Sequence, residues 1–352
     1  MDIKTLLKLT VDKGASDLHI GVPNSPVFRI QGDLISQTDV SPITKEDVEQ
    51  ILTAITTPEQ LKLFDEEKEL DFAYSVPGIA RFRVNALRQR GTTSIAFRFV
   101  PFIIPTIDDL ELPQILKKLV LKPRGLILVT GHTGSGKSTT LAAMINHLNE
   151  NDKRNIITIE EPIEFLYQNK KSIIYQREVG SDTQSFAKAL MHALRHDPDV
   201  LVVGEMRDLP TIATAITAAE TGHLVLGTLH TYSAAQSIDR MIDIFPADQQ
   251  QQIRFQLSQV IEAVLSQTLV HRTKGGRIAA FEILVGTQAV RNLIREEKIY
   301  QLPTIMSVGS NDGMQTLDQA LASLVRRRIV SKEEAILRAV DKALFEKWLK
   351  SI

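Results

Sequence analysis

What this chain can fold into is constrained most by residues 125–140. An apolar run of buried-strand character, Gly125-Leu-Ile-Leu-Val-Thr130, enters a loop with glycines at Gly131, Gly134 and Gly136. Lys137 and Ser138 follow at the spacing of a phosphate-binding loop, and Leu141-Ala-Ala-Met-Ile145 continues with helical periodicity. Glycine carries no Cβ, so backbone N–H groups can close around phosphate oxygens. A helix opening at Lys137 points the positive end of its dipole at the same anion. The Lys137 ammonium is expected to reach the β- and γ-phosphates of ATP, and the Ser138 hydroxyl to ligate Mg²⁺. Gly131, His132, Thr133, Gly134, Ser135, Gly136, Lys137, Ser138 and Thr139 are therefore the candidate nucleotide-binding residues.

The signals downstream fit such a loop. Strands are expected at Asn155–Glu160, near Ser172–Gln176, at Val200–Gly204 and at His223–Leu229, with helices at Ser185–Arg195 and Leu209–Thr221 between them. That alternation predicts a mostly parallel sheet covered by helices, with phosphate at the carboxyl ends of the strands. Helices near Ser233–Ile244 and Asp248–Leu265 follow. Gln267–His271 and Arg277–Leu284 flank Lys274-Gly275-Gly276, a hairpin signal. The remainder, Thr287 to Ile352, reads as four short helices.

Upstream the pattern is different. Ile3–Val11 has a helical apolar face, and Ser16–Ile20 and Val27–Ile30 read as short strands around Pro23, Asn24 and Pro26. Thr44 begins a helix, and another follows at Pro58–Glu67. Leu70–Val76, Ala80–Ala86 and Thr93–Phe99 alternate apolar and polar residues, as antiparallel strands of a small α+β domain do. Those strands concentrate Arg81, Arg83, Arg88, Arg90 and Arg98, either as the solvated face of a sheet or as groups that reach phosphate. Pro101, Pro105 and Pro113 stiffen a stretch without periodicity, read as a linker. The expected division is 1–100 amino-terminal domain, 101–113 linker, 114–285 nucleotide-binding domain and 286–352 carboxy-terminal helical segment.

Composition excludes several alternatives. The 352 residues allow two or three domains, and a net charge of −1 makes the molecule no general magnet for nucleic acid. The absence of cysteine removes disulfides, thiolate catalysis and cysteine zinc sites. No signal peptide is read at the start, and no apolar run approaches the roughly 20 residues of a membrane span, so membrane contact is expected through partners only.

Hydrolysis needs acids beside the phosphate loop. Val200-Leu-Val-Val203 delivers Gly204-Glu205 to a strand end, where a Mg²⁺-holding carboxylate belongs. Ile156-Ile-Thr-Ile159 delivers Glu160-Glu161-Pro162-Ile163-Glu164 to the same edge, and Glu164 is the candidate general base. His223 and His230 lie at opposite ends of one strand. Seven positions separate them by roughly 20 Å, which makes a shared metal a weak reading. His230, at the carboxyl end, is the candidate for sensing the γ-phosphate.

The loop Gly131–Ser138, the acidic box Glu160–Glu164, the segment Gly204-Glu205-Met-Arg207-Asp208 and the histidine box Gly222–His230 occur in the order and rough spacing of the type II/type IV secretion ATPase superfamily. Ala289-Val-Arg-Asn-Leu-Ile-Arg-Glu296 and Gly313-Met-Gln-Thr-Leu-Asp318 resemble motifs of its pilus-retraction branch. The resemblance implies a PAS-like amino-terminal domain and a RecA-like α/β ATPase domain. It implies homohexameric rings at the cytoplasmic face of the inner membrane, acting on a membrane-embedded pilus platform protein, with no nucleic-acid partner. It implies ATP and Mg²⁺ as ligands. By position it assigns phosphate and metal contacts to Lys137 and Ser138, the metal-side acid to Glu205, the catalytic carboxylate to Glu164, and box positions to Glu160, Glu161, Arg207, His223 and His230. Arg81, Arg83 and Arg98 are the candidate arginine contacts to phosphate. Two positions depart from the pattern: Glu161 stands where Asp is usual and Val290 where Ile is common. A related secretion or pilus-assembly ATPase, a RecA-like nucleic-acid motor and a non-hydrolysing paralogue are the competing readings.

Overall fold

The computed structural model describes residues 2–30, 32–37, 40–100 and 104–350. The chain divides into two compact units, one comprising 1–103 with the short segment Glu164–Leu166, the other 104–163 and 167–352.

The first unit is α+β. Its elements are α1 (Ile3–Asp12), β1 (Asp17–Gly21), β2 (Val27–Ile30), β3 (Asp33–Ser36), α2 (Lys45–Ile55), α3 (Pro58–Glu67), β4 (Glu69–Val76), β5 (Ala80–Gln89) and β6 (Thr92–Val100). They form an antiparallel sheet of order β3-β2-β1-β6-β5-β4. Thr44 and Thr57 start α2 and α3 through reciprocal capping boxes with Asp47 and Gln60. Period-two alternation buries Leu18, Phe28, Phe72, Phe82, Val84 and Phe97 against the apolar sides of the helices. Arg81, Arg83 and Arg98 take the other face, whereas Arg88 lies on the helix side, 4.8 Å from the Phe64 ring, and Arg90 sits in the turn between β5 and β6. β3 is fully exposed along its length, so its residues carry no alternation for a sequence reading to find.

The second unit contains α4 (Ile115–Val120), β7 (Gly125–Thr130), α5 (Lys137–Asn151), β8 (Asn155–Glu160), β9 (Ile173–Glu178), α6 (Phe186–Ala193), β10 (Val200–Val203), α7 (Leu209–Glu220), β11 (Leu224–Leu229), α8 (Ala234–Asp243), α9 (Ala247–Val260), β12 (Ile261–His271), β13 (Arg277–Val285), α10 (Gln288–Arg295), α11 (Leu302–Val308), α12 (Leu317–Arg326), α13 (Lys332–Arg338) and α14 (Lys342–Lys350). The sheet order is β13-β12-β7-β11-β10-β8-β9, parallel throughout except for β13 at one edge. Strands β7, β10 and β11 are buried along their whole length, as a sheet packed on both faces requires. Leu126 and Leu128 join one core cluster, and Ile127 and Val129 the other.

Three expectations are corrected. The helix predicted at Asp248–Leu265 stops at Val260, and Ile261–Leu265 belong to the long strand β12. Its run Val260-Ile-Glu-Ala-Val-Leu265 suits helix or buried strand equally by pattern, and parallel pairing with β7 decides for strand. Among its described residues the tail holds five α-helices rather than four, with single 3₁₀ turns at Ile299–Gln301 and Ser310–Asp312. The strand expected from His223 begins at Leu224. Of the segment read as a linker, 101–103 lie outside the described residues, and Ile107 and Leu112 are buried in the core beside β7 and α5. No helix among the described residues is long and apolar enough to cross a membrane.

Candidate active site

The site is assembled from strand ends. β7, β11, β10 and β8 are consecutive in the sheet and parallel, so their carboxyl ends emerge along one edge. They deliver the phosphate loop, His230, Glu205 and Glu160–Glu161 respectively.

The loop between β7 and α5 is built around positive φ. Gly131 has φ 144°, Gly134 φ 80° and Gly136 φ 90°. At Gly131 a Cβ would lie 2.4 Å from the Gln267 carbonyl oxygen and 2.6 Å from Ser135 Oγ, so glycine is required for close approach as well as for conformation. Lys137 is buried, and its Nζ donates to the carbonyl oxygens of Gly131 at 2.8 Å and His132 at 3.1 Å. The ammonium is thus folded over the loop. Ser138 and Thr139 are half-buried in the first turn of α5, and Thr133 and Gly134 are exposed at the tip. His132 Nδ1 lies 2.7 Å from the Thr133 carbonyl oxygen. The fully buried Ser135 Oγ has no hydrogen-bond partner.

Gln267, on β12, was not singled out from the sequence. Its Nε2 donates to the Ser135 carbonyl at 2.7 Å, and its Oε1 accepts from Thr140 Oγ1 at 2.7 Å. One buried amide thereby joins the loop to the first helical turn beyond it. A glutamine inside a strand carries no motif, so only the adjacency of β12 and β7 reveals it.

Glu205 leaves β10 into a shared contact with Arg207 and His230. Arg207 Nη2 donates to Glu205 Oε2 at 2.6 Å, Arg207 Nε donates to Oε1, and His230 Nε2 lies 3.0 Å from Oε1. Burial raises the carboxyl's proton affinity, but the Arg207 hydrogen bond and the charges of His230 and Arg207 outweigh it, and the net shift is downward. The structure therefore brings together three of the candidates, Glu205, Arg207 and His230.

Others are placed apart. Glu160 Oε1 accepts from Thr158 Oγ1 at 2.6 Å and Gln176 Nε2 at 3.1 Å, so it is turned toward its own strand and its neighbour. Glu161 is exposed, and Glu164 is exposed in an irregular stretch that groups with the first unit. The buried Glu178, missed in the sequence, holds the acidic box by accepting the Ile163 N–H at 3.1 Å. His223 lies at the amino end of β11, where its Nδ1 is 2.9 Å from the Ala218 carbonyl oxygen at the end of α7. It is a full strand length from the phosphate loop. In the first unit Arg83 and Arg98 are register partners on the face away from the core. Arg98 Nε donates to Asp17 at 2.8 Å, Arg83 lies 3.9 Å from Asp71, and Arg81 Nη1 lies 3.5 Å from Ser75 Oγ.

The parallel sheet, the glycine-lined loop that a Cβ would fill, the lysine folded across it and the facing acid define a RecA-like P-loop ATPase core carried with an α+β amino-terminal unit. Comparison with known proteins narrows this. The type II/IV secretion system protein family matches residues 2–337, and the chain belongs to that family. It is 48% identical over 335 residues to the type IV pilus retraction ATPase PilT of Pseudomonas aeruginosa, covering 95% of this chain and 97% of that one. It is 42% identical over 340 residues to the type IV pilus ATPase PilU of the same organism, covering 96% and 89%. A crystal structure of the pilus retraction motor PilT with bound ADP superposes with a TM-score of 0.93 at 43% identity over 99% of both chains. The Legionella pneumophila ATPase DotB superposes with a TM-score of 0.77 at 27% identity, covering 96% of this chain and 94% of that one.

Proposed function

We propose that this chain is the ATP-hydrolysing subunit of a motor that retracts type IV pili and so powers twitching motility. The observation that carries the proposal is end-to-end likeness to a pilus retraction motor with the phosphate loop and its facing acid intact. The type II secretion reading is weaker. Xanthomonas campestris type II secretion system protein E is 33% identical over 283 residues, and this chain spans only 47% of it.

ATP is held by the loop amides and Lys137, and Ser138 and Glu205 would hold Mg²⁺. When bound, Mg²⁺ neutralises charge on the β- and γ-phosphates. The rest falls to the chain's own residues. Glu164 orients the attacking water and takes its proton. His230, bonded to Glu205, senses the γ-phosphate. Arg81, Arg83 and Arg98 neutralise charge that grows on the transferred group. Loss of the terminal phosphate drives the conformational change of the motor. Six copies form a ring at the cytoplasmic face of the inner membrane and pass this motion to the pilus platform protein. Nucleic acid has no part.

The test is phosphate release by the purified protein, with and without DNA. Wild type should turn over and be indifferent to DNA, and Lys137→Ala should be inactive. In cells, deleting the gene should leave surface fibres that are not retracted. Turnover by Lys137→Ala at the wild-type rate would refute the site assignment, and normal retraction in the deletion strain would refute the biological role.

A further inference from the structure

Thr130, Ser266 and Glu282 stand side by side on neighbouring strands. Ser266 is the register partner of Thr130 on one side and of Glu282 on the other, so the three share a face of the sheet. Along these strands that face is otherwise lined by Leu126, Leu128, Val264 and Leu284. A polar row there is costly unless every member is bonded, because its relative exposures are only 0% for Thr130, 3% for Ser266 and 8% for Glu282.

What satisfies the row is the beginning of α8. Glu282 Oε1 accepts the N–H of Ala234, the first residue of that helix, at 2.6 Å. Ser237, one turn on, points its Oγ toward Thr130 Oγ1 at 3.4 Å and lies 2.7 Å from Thr231 Oγ1. Thr130 Oγ1 is in turn 2.8 Å from Ser266 Oγ. The row therefore connects two parts of the nucleotide site. Thr130 immediately precedes Gly131 of the phosphate loop. Thr231 immediately follows His230, whose Nε2 lies 3.0 Å from Glu205.

We propose that Glu282 is a positioning residue for hydrolysis: it fixes the first turn of α8, and with Ser237 and Thr130 ties the segment carrying His230 to the root of the phosphate loop. The proposal rests on the ATPase reading above. Burial raises the proton affinity of Glu282, the Ala234 hydrogen bond opposes this, and the neighbouring Asp318 adds to it. The bond to Ala234 needs an acceptor oxygen at Oε1 and no charge. Glutamine should therefore serve, and alanine should not.

The experiment measures ATP turnover, ADP affinity and melting temperature for wild type, Glu282→Gln, Glu282→Ala and Ser237→Ala. Glu282→Ala should lower kcat by about three- to thirtyfold, the range expected for loss of a coupling contact, with ADP affinity unchanged. Glu282→Gln should restore most of kcat. Ser237→Ala should lower kcat with ADP affinity unchanged, alongside a fall in melting temperature from the buried contacts it loses. Wild-type kcat in Ser237→Ala, parallel loss of kcat and ADP affinity in Glu282→Ala, or equal impairment of Glu282→Gln and Glu282→Ala would each overturn the proposal. If Glu282→Ala does not fold, Glu282→Gln and Ser237→Ala decide it. A wild-type protein without turnover overturns the ATPase reading, whereas wild-type turnover with unaffected variants overturns only this one.

Discussion

Replacing Gln267 by leucine tests how much of nucleotide affinity is supplied by a brace that no motif announces. Gln267 is 5% exposed, Thr140 1% and Ser135 0%, so both of its hydrogen bonds lie out of water. Leucine is close in volume and makes neither bond. The Thr140 hydroxyl and the Ser135 carbonyl would be left buried without this partner, at about 1–3 kcal/mol each. Burying the leucine side chain returns about 1–2 kcal/mol. The net loss is about 0–5 kcal/mol, centred on about 2.5 kcal/mol, and it falls on the irregular loop 131–136. Nucleotide must then order a loop that the wild type holds ready, so an affinity loss of about tenfold, about 1.4 kcal/mol, is expected. Titration with a fluorescent ADP analogue measures it. Thr140→Val, which spares the bond to Ser135, should lose less, and Thr140→Ser should lose little. Wild-type ADP affinity in Gln267→Leu would refute the reasoning.

Other outcomes follow from the same geometry. Gly131→Ala should abolish ADP binding, because its Cβ meets the Gln267 carbonyl oxygen. Gly134→Ala meets no atom within 4 Å and should cost only the about 1–2 kcal/mol of a left-handed residue, seen as a modest loss of affinity. Glu205→Gln should remove turnover while ADP still binds. Because the folded carboxyl titrates below its ordinary 4.5, its contribution to stability is complete above that value and is lost as pH falls through the lower, folded one. The urea midpoint of wild type relative to Glu205→Gln should accordingly be constant through neutral pH and converge only in acid. His223→Ala should cost about 1 kcal/mol through its lost bond to the Ala218 carbonyl and leave kcat unchanged, whereas His230→Ala should lower kcat; equal kcat losses would refute the separation of the two.

The phosphate loop was legible because its requirements are local: positive φ at Gly131 and Gly136 and a helix start at Lys137 are written in consecutive residues. Strands β10 and β11 were legible because burial on both faces demands an unbroken apolar run. What the sequence hid depends on pairing across long separations. Gln267 reaches Ser135 from 132 positions away, and Glu282 reaches Ala234 from 48. Arg98 reads as a free basic group until Asp17, 81 positions earlier, is seen beside it. The junction of α9 and β12 failed for a related reason. Ile261–Leu265 satisfies two patterns at once, and only the neighbouring strand chooses between them.

The meeting of acid, histidine and loop is a consequence of register. In the sheet Val203 is level with Gly227, and Leu229 is level with Thr130. Counting outward, His230 is level with Gly131, while beyond Val203 the bond from the Met206 N–H to Thr228 marks a one-residue shift that sets Glu205 level with Thr228. The Gly131 N–H donates to the Leu229 carbonyl at 3.3 Å, and the Met206 N–H to the Thr228 carbonyl at 3.0 Å, so pairing persists past the formal strand ends. Three chain segments thus reach nearly one height on adjacent parallel strands about 4.8 Å apart. Each turns from extended chain into loop or helix there. Such a sheet can slip only at the cost of turning every side chain of a strand to the opposite face, which the apolar runs on both sides forbid. The positions of Glu205 and His230 are therefore fixed by the residues beneath them, Val200–Val203 and Leu224–Leu229, and the groups at the tips need supply only chemistry.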